Sequence, residues 1–274
     1  MYGDYEVIEE IGKAPAGNLY LARRGSDGMA AVIKTLRLVE DFAPRDQEEA
    51  RKRFFREVQT ASELDHPGVR KMLDSGETQG VAWLAMEQLD GQPMEDFVDP
   101  HNRLGVDELI GQIASAADAL GYAHGRGVIH RDISPAKLIY DRERQHCKIT
   151  DFGFARLSQS GHTTVRLLHG KLSFKSPEDL TGQPVTFASD LFCLGVTLYQ
   201  LLTGELPFKG DSMVELMQNI LHDSHDAPSA WRPDLGTDFD PIFERVLRKD
   251  PAARFRSGQE MAEALRACVG AVAA

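Results

Sequence analysis

The residues best suited to chemistry lie in one short stretch in the middle of the chain. Asp132, Lys137 and Asp151 are charged, and between the last two lie two apolar runs, Leu138–Tyr140 and Cys147–Thr150, separated by a polar connection. This pattern predicts a β-hairpin. Because its strands would pair antiparallel, Lys137 before the first strand and Asp151 after the second would come close together. With Asp132, two carboxylates would share one end of the hairpin, and such oxygen ligands suit a hard divalent cation.

The spacing of these residues also resembles that of a known family. His130–Asp132 precedes Asp151–Gly153, as His-Arg-Asp precedes Asp-Phe-Gly in the catalytic core of protein kinases. The kinase pattern has an asparagine five residues after the first aspartate, and this chain has Lys137 there. The resemblance implies phosphoryl transfer from ATP, with Mg²⁺ as the cofactor and Mn²⁺ as an alternative metal.

Further positions extend the resemblance through the second half of the chain. Ser176–Glu178 stands one residue away from the kinase Ala-Pro-Glu, Asp190 matches the aspartate that braces the catalytic loop, and Arg254 matches the arginine that pairs with Glu178. Similarly folded small-molecule phosphotransferases generally lack these last features. The sequence is identified as a member of the protein kinase family from residue 5 to about 265, similar to bacterial Ser/Thr kinases of eukaryotic type.

The resemblance implies an α+β, bilobal fold with a small β-rich N-lobe and a larger, mainly helical C-lobe. We expect a single kinase domain over residues 1–274, comprising an N-lobe at 5–86, a hinge at 87–91, a C-lobe at 92–268, and a tail at 269–274 that is a candidate truncation point.

Apolar periodicity and turn residues predict the elements of both lobes. The predicted strands are Val7–Gly12, Asn18–Arg23, Ala30–Leu36 and Val81–Met86, and the predicted helices are Gln47–Leu64, Val106–His124, Ser189–Gly204 and one that starts at Ser257. Ser189 is the predicted N-cap of the third helix and Gly204 its stop. Glu260, three residues after Ser257, predicts a capping box.

Lys34 and Glu57 are candidates for a functional ion pair. Lys34 closes the run Ala31–Lys34 within a predicted strand. Glu57 lies on the apolar stripe of the first predicted helix, whose other members are Ala50, Phe54, Ala61 and Leu64. A carboxylate on an apolar face is costly unless it is paired. We expect Lys34 to be its partner, as in the kinase lysine–glutamate pair that orients the phosphates.

The first predicted turn resembles the kinase glycine-rich loop, whose backbone N–H groups cover the nucleotide phosphates. Gly12 and Gly17 match, but the middle glycine is Ala14, followed by Pro15, and both replacements restrict the backbone. The resemblance further implies an adenine site in which Met86 guards the pocket, Glu87 and Leu89 offer backbone groups, and the base lies between Leu19, Val32 and Ile139.

In the active interpretation, Asp132 orients the incoming hydroxyl or accepts its proton, Asp151 holds Mg²⁺, and Lys34 fixes the nucleotide. Ser134 stands where Ser/Thr kinases usually carry a lysine that contacts the γ-phosphate. Lys171 stands where they usually carry a threonine, and it is a candidate to reach Asp132 or phosphate instead.

Lys137 admits two interpretations. An ammonium cannot bind a cation and would repel one near Asp151, by roughly 4 kcal/mol at 4 Å and surface-like dielectric. Alternatively, Lys137 replaces the lost cation and neutralises phosphate itself.

The polar stretch after Gly153 corresponds to the kinase activation loop. A phosphate on Thr163 or Thr164 would pair with Arg131, beside the catalytic aspartate.

Two function classes follow. One is an ATP-dependent Ser/Thr protein kinase, slow or tolerant of a single metal, which the retention of Lys34, Glu57, Asp132 and Asp151 favours. The other is a pseudokinase scaffold with weak or no nucleotide turnover, which the four atypical residues favour: Ala14, Ser134, Lys137 and Lys171.

Composition limits the partners. A formal charge of −11 argues against nucleic acid and anionic membranes as partners, and the longest apolar run is too short to span a bilayer. Three scattered cysteines and a first segment without signal-peptide character predict a cytoplasmic location. We expect protein substrates of unknown identity and a monomer or weak dimer.

Overall fold

The computed structural model describes residues 1–14, 17–37, 44–152 and 172–272. These residues form two compact units. The first comprises Met1–Asp90 with Asp151 and Phe152, and the second comprises Gly91–Thr150 with residues 172–272.

A five-stranded sheet forms the centre of the first unit. Its strands are β1 (Tyr5–Ala14), β2 (Gly17–Arg24), β3 (Ala30–Arg37), β4 (Met72–Thr78) and β5 (Val81–Glu87). They pair antiparallel in the order β1-β2-β3-β5-β4. All four predicted strands are confirmed. The sequence analysis missed β4, which lies at the edge of the sheet and has no clear apolar alternation.

Both faces of this sheet are packed. Helix α1 (Pro44–Ser62) covers one face, where its buried Phe54 and Val58 join Leu84 and Met86 of β5 in one cluster. On the other face, Trp83 packs edge-on against Tyr5. Ala50, Phe54 and Ala61 of the predicted stripe are buried on the helix, and Leu64 is buried just beyond its end. The helix begins three residues before its predicted start, since proline is tolerated in a first helical turn, and it ends two residues before its predicted end.

The predicted hairpin is present in the second unit. Strands β6 (Gln92–Pro93), β7 (Leu138–Asp141) and β8 (His146–Ile149) form a small antiparallel sheet. Leu138 lies opposite Ile149, and Tyr140 opposite Cys147. Beyond the last pair, the Thr150 N–H donates to the Lys137 carbonyl at 2.9 Å, so the pairing continues to the residue before Asp151.

The second unit contains far more helix than strand. They are α2 (Val106–His124), α3 (Pro177–Leu180), α4 (Phe187–Thr203), α5 (Met213–His222), α6 (Pro228–Trp231), α7 (Asp240–Val246) and α8 (Gly258–Val272). The predicted bounds of α2 are confirmed. Helix α4 is buried almost all round, which explains its nearly continuous apolar sequence. Over the described residues, no helix has both the length and the apolar character that a membrane crossing requires.

The N-cap predicted for α4 is wrong. The helix begins at Phe187 and its N-cap is Thr186. Ser189 lies inside the first turn, where its Oγ accepts the Thr186 N–H at 3.0 Å. Both residue types suit a cap, so the local sequence alone did not distinguish them. The predicted stop is confirmed, because Gly204 adopts the left-handed conformation with φ of 84°.

The cap predicted for α8 is confirmed, with one difference. Ser257 Oγ accepts the Glu260 N–H at 3.1 Å. The Glu260 carboxylate, however, accepts the N–H of Arg256 at 2.6 Å, one residue before the position that a capping box uses.

Candidate active site

Asp190 organises the backbone of the candidate catalytic loop. Its side chain is fully buried, and it accepts the His130 N–H on Oδ2 and the Arg131 N–H on Oδ1, each at 2.7 Å. His124 Nε2, at the end of α2, donates to Oδ2 at 2.8 Å. A buried carboxylate is tolerated only when donors satisfy it. The bracing role predicted for Asp190 is confirmed, and Asp132 follows immediately on the braced segment.

His130 links this loop to the hairpin. Its ring is buried, Nε2 lies 2.7 Å from the Thr150 carbonyl, and Nδ1 lies 3.2 Å from the Asp132 N–H. These partners assign the neutral tautomer, in which Nε2 donates and Nδ1 accepts. Burial lowers the pKa of His130 and outweighs the nearby carboxylate of Asp190, which favours the charged form. The neutral ring therefore fixes the backbone of Asp132.

Lys175 lies beside Asp132 and was not predicted as a site residue. Its Nζ donates to the Arg131 carbonyl at 3.0 Å and lies 3.0 Å from Asp179 Oδ2. The distance to Asp132 Oδ1 is 4.0 Å, with the side chains of Lys175 and Asp132 only 19% and 28% exposed. The candidate catalytic carboxylate thus has a positively charged neighbour.

Two residues of the site hold a left-handed backbone without being glycine. The φ angle is 69° at Arg131 and 67° at Asp151. Such conformations cost free energy and persist where surrounding contacts fix them. Arg131 is held on both sides, because its N–H bonds to Asp190 and its carbonyl to Lys175.

Lys137 and Ser134 lie on the turn before β7. The 3-10 turn Pro135–Lys137 follows Ser134, whose carbonyl accepts the Lys137 N–H at 2.9 Å. Both side chains are half-buried. The hairpin therefore fixes the backbone on which the unusual lysine stands.

In the first unit, Lys34 pairs with Asp151. Lys34 Nζ lies 2.8 Å from Asp151 Oδ1, and both side chains are mostly buried. The opposite charges hold the candidate metal ligand beside the candidate nucleotide lysine. Glu57 is half-buried on α1, and its pairing with Lys34 stays a prediction.

Arg70 contacts the segment predicted to bind adenine, and the sequence analysis did not single it out. Its Nε donates to the Glu87 carbonyl at 2.9 Å. The Glu87 N–H donates to the Lys71 carbonyl at 3.0 Å, and the Glu87 carboxylate accepts the Lys71 N–H at 2.7 Å. Burial lowers the pKa of Arg70, while Asp151 and Glu87 favour its charged form. One lone pair of the Glu87 carbonyl is thus already engaged before any base binds.

The two matching glycines of the first turn differ in what they pack against. At Gly17, a Cβ atom would lie 1.9 Å from the Thr35 carbonyl oxygen, so only glycine fits there. The neighbouring Asn18 N–H donates to Thr35 Oγ1 at 2.9 Å and keeps this contact close. At Gly12, a Cβ would meet only Leu19, at an ordinary 3.8 Å. Packing among the described residues explains Gly17 but does not require glycine at position 12.

The remaining predicted adenine residues lie as follows. Val32 and Met86 are buried in the cluster under α1, and Leu19 packs partly buried against it. Leu89 and, in the second unit, Ile139 are half-buried. Several predicted positions lie outside the described residues or, for Ala14, have only a described backbone: Ala14, Pro15, Gly153, Thr163, Thr164 and Lys171.

The predicted Glu178–Arg254 pair is confirmed. The guanidinium of Arg254 donates to both carboxylate oxygens of Glu178 at 2.8 Å. Its other donors reach the carbonyls of Ala188, Arg248 and Lys249 at 2.9, 2.7 and 3.1 Å. Burial opposes ionisation of Glu178, but Arg254 and Ser189 outweigh it, so the pKa of Glu178 lies below its usual value. All five guanidinium donors are used.

The donor set is compatible with a metal that arrives with a nucleotide. Over the described ranges, no group of three or more His, Cys, Asp or Glu side chains could hold a metal ion. Mg²⁺ commonly binds through one or two carboxylates together with substrate phosphates. The single carboxylate of Asp151 fits that mode.

Comparisons with known proteins identify the family of the chain. The family model "Protein kinase domain" matches residues 5–266. The chain is 32% identical to the serine/threonine-protein kinase PrkC of Bacillus subtilis, covering 94% of this chain and 39% of that protein. It is 34% identical to the serine/threonine-protein kinase PknB of Mycobacterium tuberculosis, covering 94% and 41%. The crystal structure of the Mycobacterium tuberculosis PknI kinase domain superposes with a TM-score of 0.76 at 27% identity, covering 98% and 97%.

The chain belongs to the protein kinase family, and it has the protein kinase fold. Its relatives PrkC and PknB are named serine/threonine-protein kinases. The chain spans about two fifths of the length of these curated relatives.

Proposed function

We propose that this chain transfers the γ-phosphate of ATP to serine and threonine hydroxyls of protein substrates. The observation that carries the proposal is the braced catalytic loop. Asp190 fixes the backbone of His130 and Arg131, and the neutral His130 ring accepts from the Asp132 N–H. Such preorganisation is what phosphoryl transfer requires, because catalysis there is mostly positioning and charge neutralisation.

The proposed reaction assigns a role to each residue of the candidate site. The bond between the γ-phosphorus and the ADP oxygen breaks, and a bond from that phosphorus to the substrate hydroxyl forms. Asp132 orients the hydroxyl and accepts its proton, and Lys34 fixes the α- and β-phosphates. Glu57 would orient Lys34. Gly12 and Gly17 would carry the backbone that covers the phosphates, and the adenine would lie among Leu19, Val32, Met86, Leu89 and Ile139.

Asp151 would hold the Mg²⁺, or Mn²⁺, that neutralises charge on the phosphates. Lys137 takes the place of a second metal ligand and makes single-metal use the natural mode. We also propose a cytoplasmic location, where ATP is supplied, and activation by phosphate at Thr163 or Thr164 pairing with Arg131. We propose that the chain acts as a monomer or a weak dimer.

The test is transfer of radiolabelled phosphate from ATP to the protein itself and to a basic protein substrate, over a Mg²⁺ and Mn²⁺ series. Asp132→Asn should lower transfer by about 100-fold or more, because it removes the base that orients the hydroxyl. Lys137→Asn replaces an ammonium by a metal ligand and should lower the Mg²⁺ concentration needed for half-maximal transfer by about tenfold, the equivalent of about 1.4 kcal/mol.

The outcomes separate the two function classes. Transfer by the parent that Asp132→Asn abolishes supports the kinase. If the parent transfers no phosphate and Lys137→Asn does, Lys137 alone would be what prevents catalysis by an otherwise complete kinase site. Silence of all three proteins, with no ATP-induced rise in melting temperature, would support the pseudokinase scaffold instead.

A further inference from the structure

Lys175 has a donor to spare next to the candidate catalytic carboxylate. An ammonium carries three N–H donors, and Lys175 uses two of them on the Arg131 carbonyl and on Asp179, each at 3.0 Å. Asp132 Oδ1 lies 4.0 Å away, which is ion-pair distance but beyond hydrogen-bond reach. Within the described part of the chain, no further acceptor bonds to Lys175 Nζ. One donor therefore remains for a group that binds beside Asp132.

The catalytic loop carries no positive charge at position 134, where the family usually has a lysine. Ser134, two residues after Asp132, is half-buried and carries only a hydroxyl. Charge that develops on a transferring phosphoryl group is stabilised by a cation that is already in position. A cation that replaces the one missing at position 134 can come from another element, and Lys175 lies in the segment just before α3.

We propose that Lys175 supplies the positive charge missing at Ser134 and contacts the phosphoryl group as it passes to the hydroxyl that Asp132 orients. This inference rests on the proposed kinase function and adds a residue to its machinery. No bond to Lys175 forms or breaks; it stabilises charge while the ADP–phosphorus bond breaks and the new bond forms.

The surroundings of Lys175 keep it charged and in place. Burial disfavours the ammonium, but the carboxylates of Asp179 and Asp132 outweigh that effect, so the pKa of Lys175 lies above its usual value. A purely structural role is the competing explanation, because Lys175 also holds the left-handed Arg131 through its carbonyl. The experiment has to separate these two roles.

The experiment compares three variants for phosphate transfer, for KM of ATP and for melting temperature. Lys175→Met keeps the length of the side chain and removes its charge. The double variant Lys175→Met with Ser134→Lys restores a lysine on the catalytic loop. Lys209→Met is the control, since Lys209 is a half-exposed lysine whose ion pair is with Glu205, four residues away on the surface.

We expect Lys175→Met to lower kcat by about 100-fold, the usual effect of losing one stabilising donor, while KM for ATP changes less than threefold. Adding Ser134→Lys to Lys175→Met should raise kcat at least tenfold above that of Lys175→Met alone. Lys209→Met should leave kcat unchanged. An unchanged kcat in Lys175→Met, or a loss that comes with a lower melting temperature and that Ser134→Lys does not repair, would overturn the proposal while the kinase function stands.

A parent that transfers no phosphate would refute the proposed function, and binding then decides the inference separately. The probe is ADP with Mg²⁺ and fluoroaluminate, which mimics the phosphoryl group in transfer. Binding at least tenfold weaker in Lys175→Met, with ADP affinity unchanged, would support the role of Lys175. Equal binding, or no binding to the parent, would overturn it.

Discussion

At the scale of single residues, His130 is the group whose ionisation is most closely tied to the candidate site. Its neutral ring joins the Asp132 N–H to the Thr150 carbonyl, and burial lowers its pKa. The unfolded chain binds a proton at this position near pH 6.5, whereas the folded chain does so only at lower pH. The folded state therefore loses stability as pH falls from about 6.5 to the folded pKa, by up to about 1.4 kcal/mol per pH unit.

We predict that His130→Gln reduces this slope. The free energy of unfolding, measured by urea denaturation between pH 7.5 and 5.5, should fall less steeply with acid in the variant than in the parent. His101→Gln, at an exposed position, should keep the parental slope. If both variants and the parent show the same slope, His130 is not the group that takes up the proton.

Single residues also show where the sequence was informative. Asp190, Glu178 and Arg254 were predicted because each occupies a fixed place in a family pattern, and the structure confirms their contacts. Lys175 and Arg70 were missed because their hydrogen-bond partners are distant in sequence and no local pattern predicts these contacts. A lysine two residues before Pro177 and an arginine after an apolar turn look like surface charges until the fold brings distant oxygens to them.

At the scale of elements, the Glu178–Arg254 pair ties α3 to the segment between α7 and α8. Both side chains are buried, and each guanidinium donor has an acceptor. Breaking a buried pair by removing one partner leaves the other charge unpaired and costs about 3–5 kcal/mol.

We predict a loss of that size for Arg254→Met, measured as the free energy of unfolding in urea. Arg266→Met is the matched control, because Arg266 pairs with Asp118 on the surface and an exposed pair contributes at most about 1 kcal/mol. A similar effect of the two substitutions would mean that the buried pair does not anchor the helices.

Elements were predicted well where periodicity was strong and poorly where it was weak. The two short apolar runs of β7 and β8 and the apolar face of α2 gave their positions directly. Strand β4 has mixed polarity because it lies at a sheet edge, so it produced no signal. The N-cap of α4 was misplaced from Thr186 to Ser189 because two capping residues lie within one turn.

At the scale of the whole molecule, nucleotide binding should raise the stability of the chain. A ligand at 100 times its Kd stabilises the folded state by about 2.7 kcal/mol. We predict that ADP with Mg²⁺ raises the melting temperature of the parent, and that Lys34→Met and Asp151→Asn each remove more than half of that rise. Lys71→Met, at an exposed position of the same unit, should keep it. A full rise in Lys34→Met would exclude Lys34 as a nucleotide contact.

The Lys34–Asp151 ion pair affects how well a lone phosphate ion or a lone metal ion binds to the chain. Lys34 Nζ and Asp151 Oδ1 lie 2.8 Å apart, so each charge stabilises the other. A lone phosphate ion would have to take Lys34 from Asp151, and a lone metal ion would have to take Asp151 from Lys34. Either ion would have to separate two opposite charges whose side chains are mostly buried, which is costly. Magnesium-bound nucleotide brings both charges at once. We therefore expect the Lys34–Asp151 ion pair to separate only when an anion and a cation bind together.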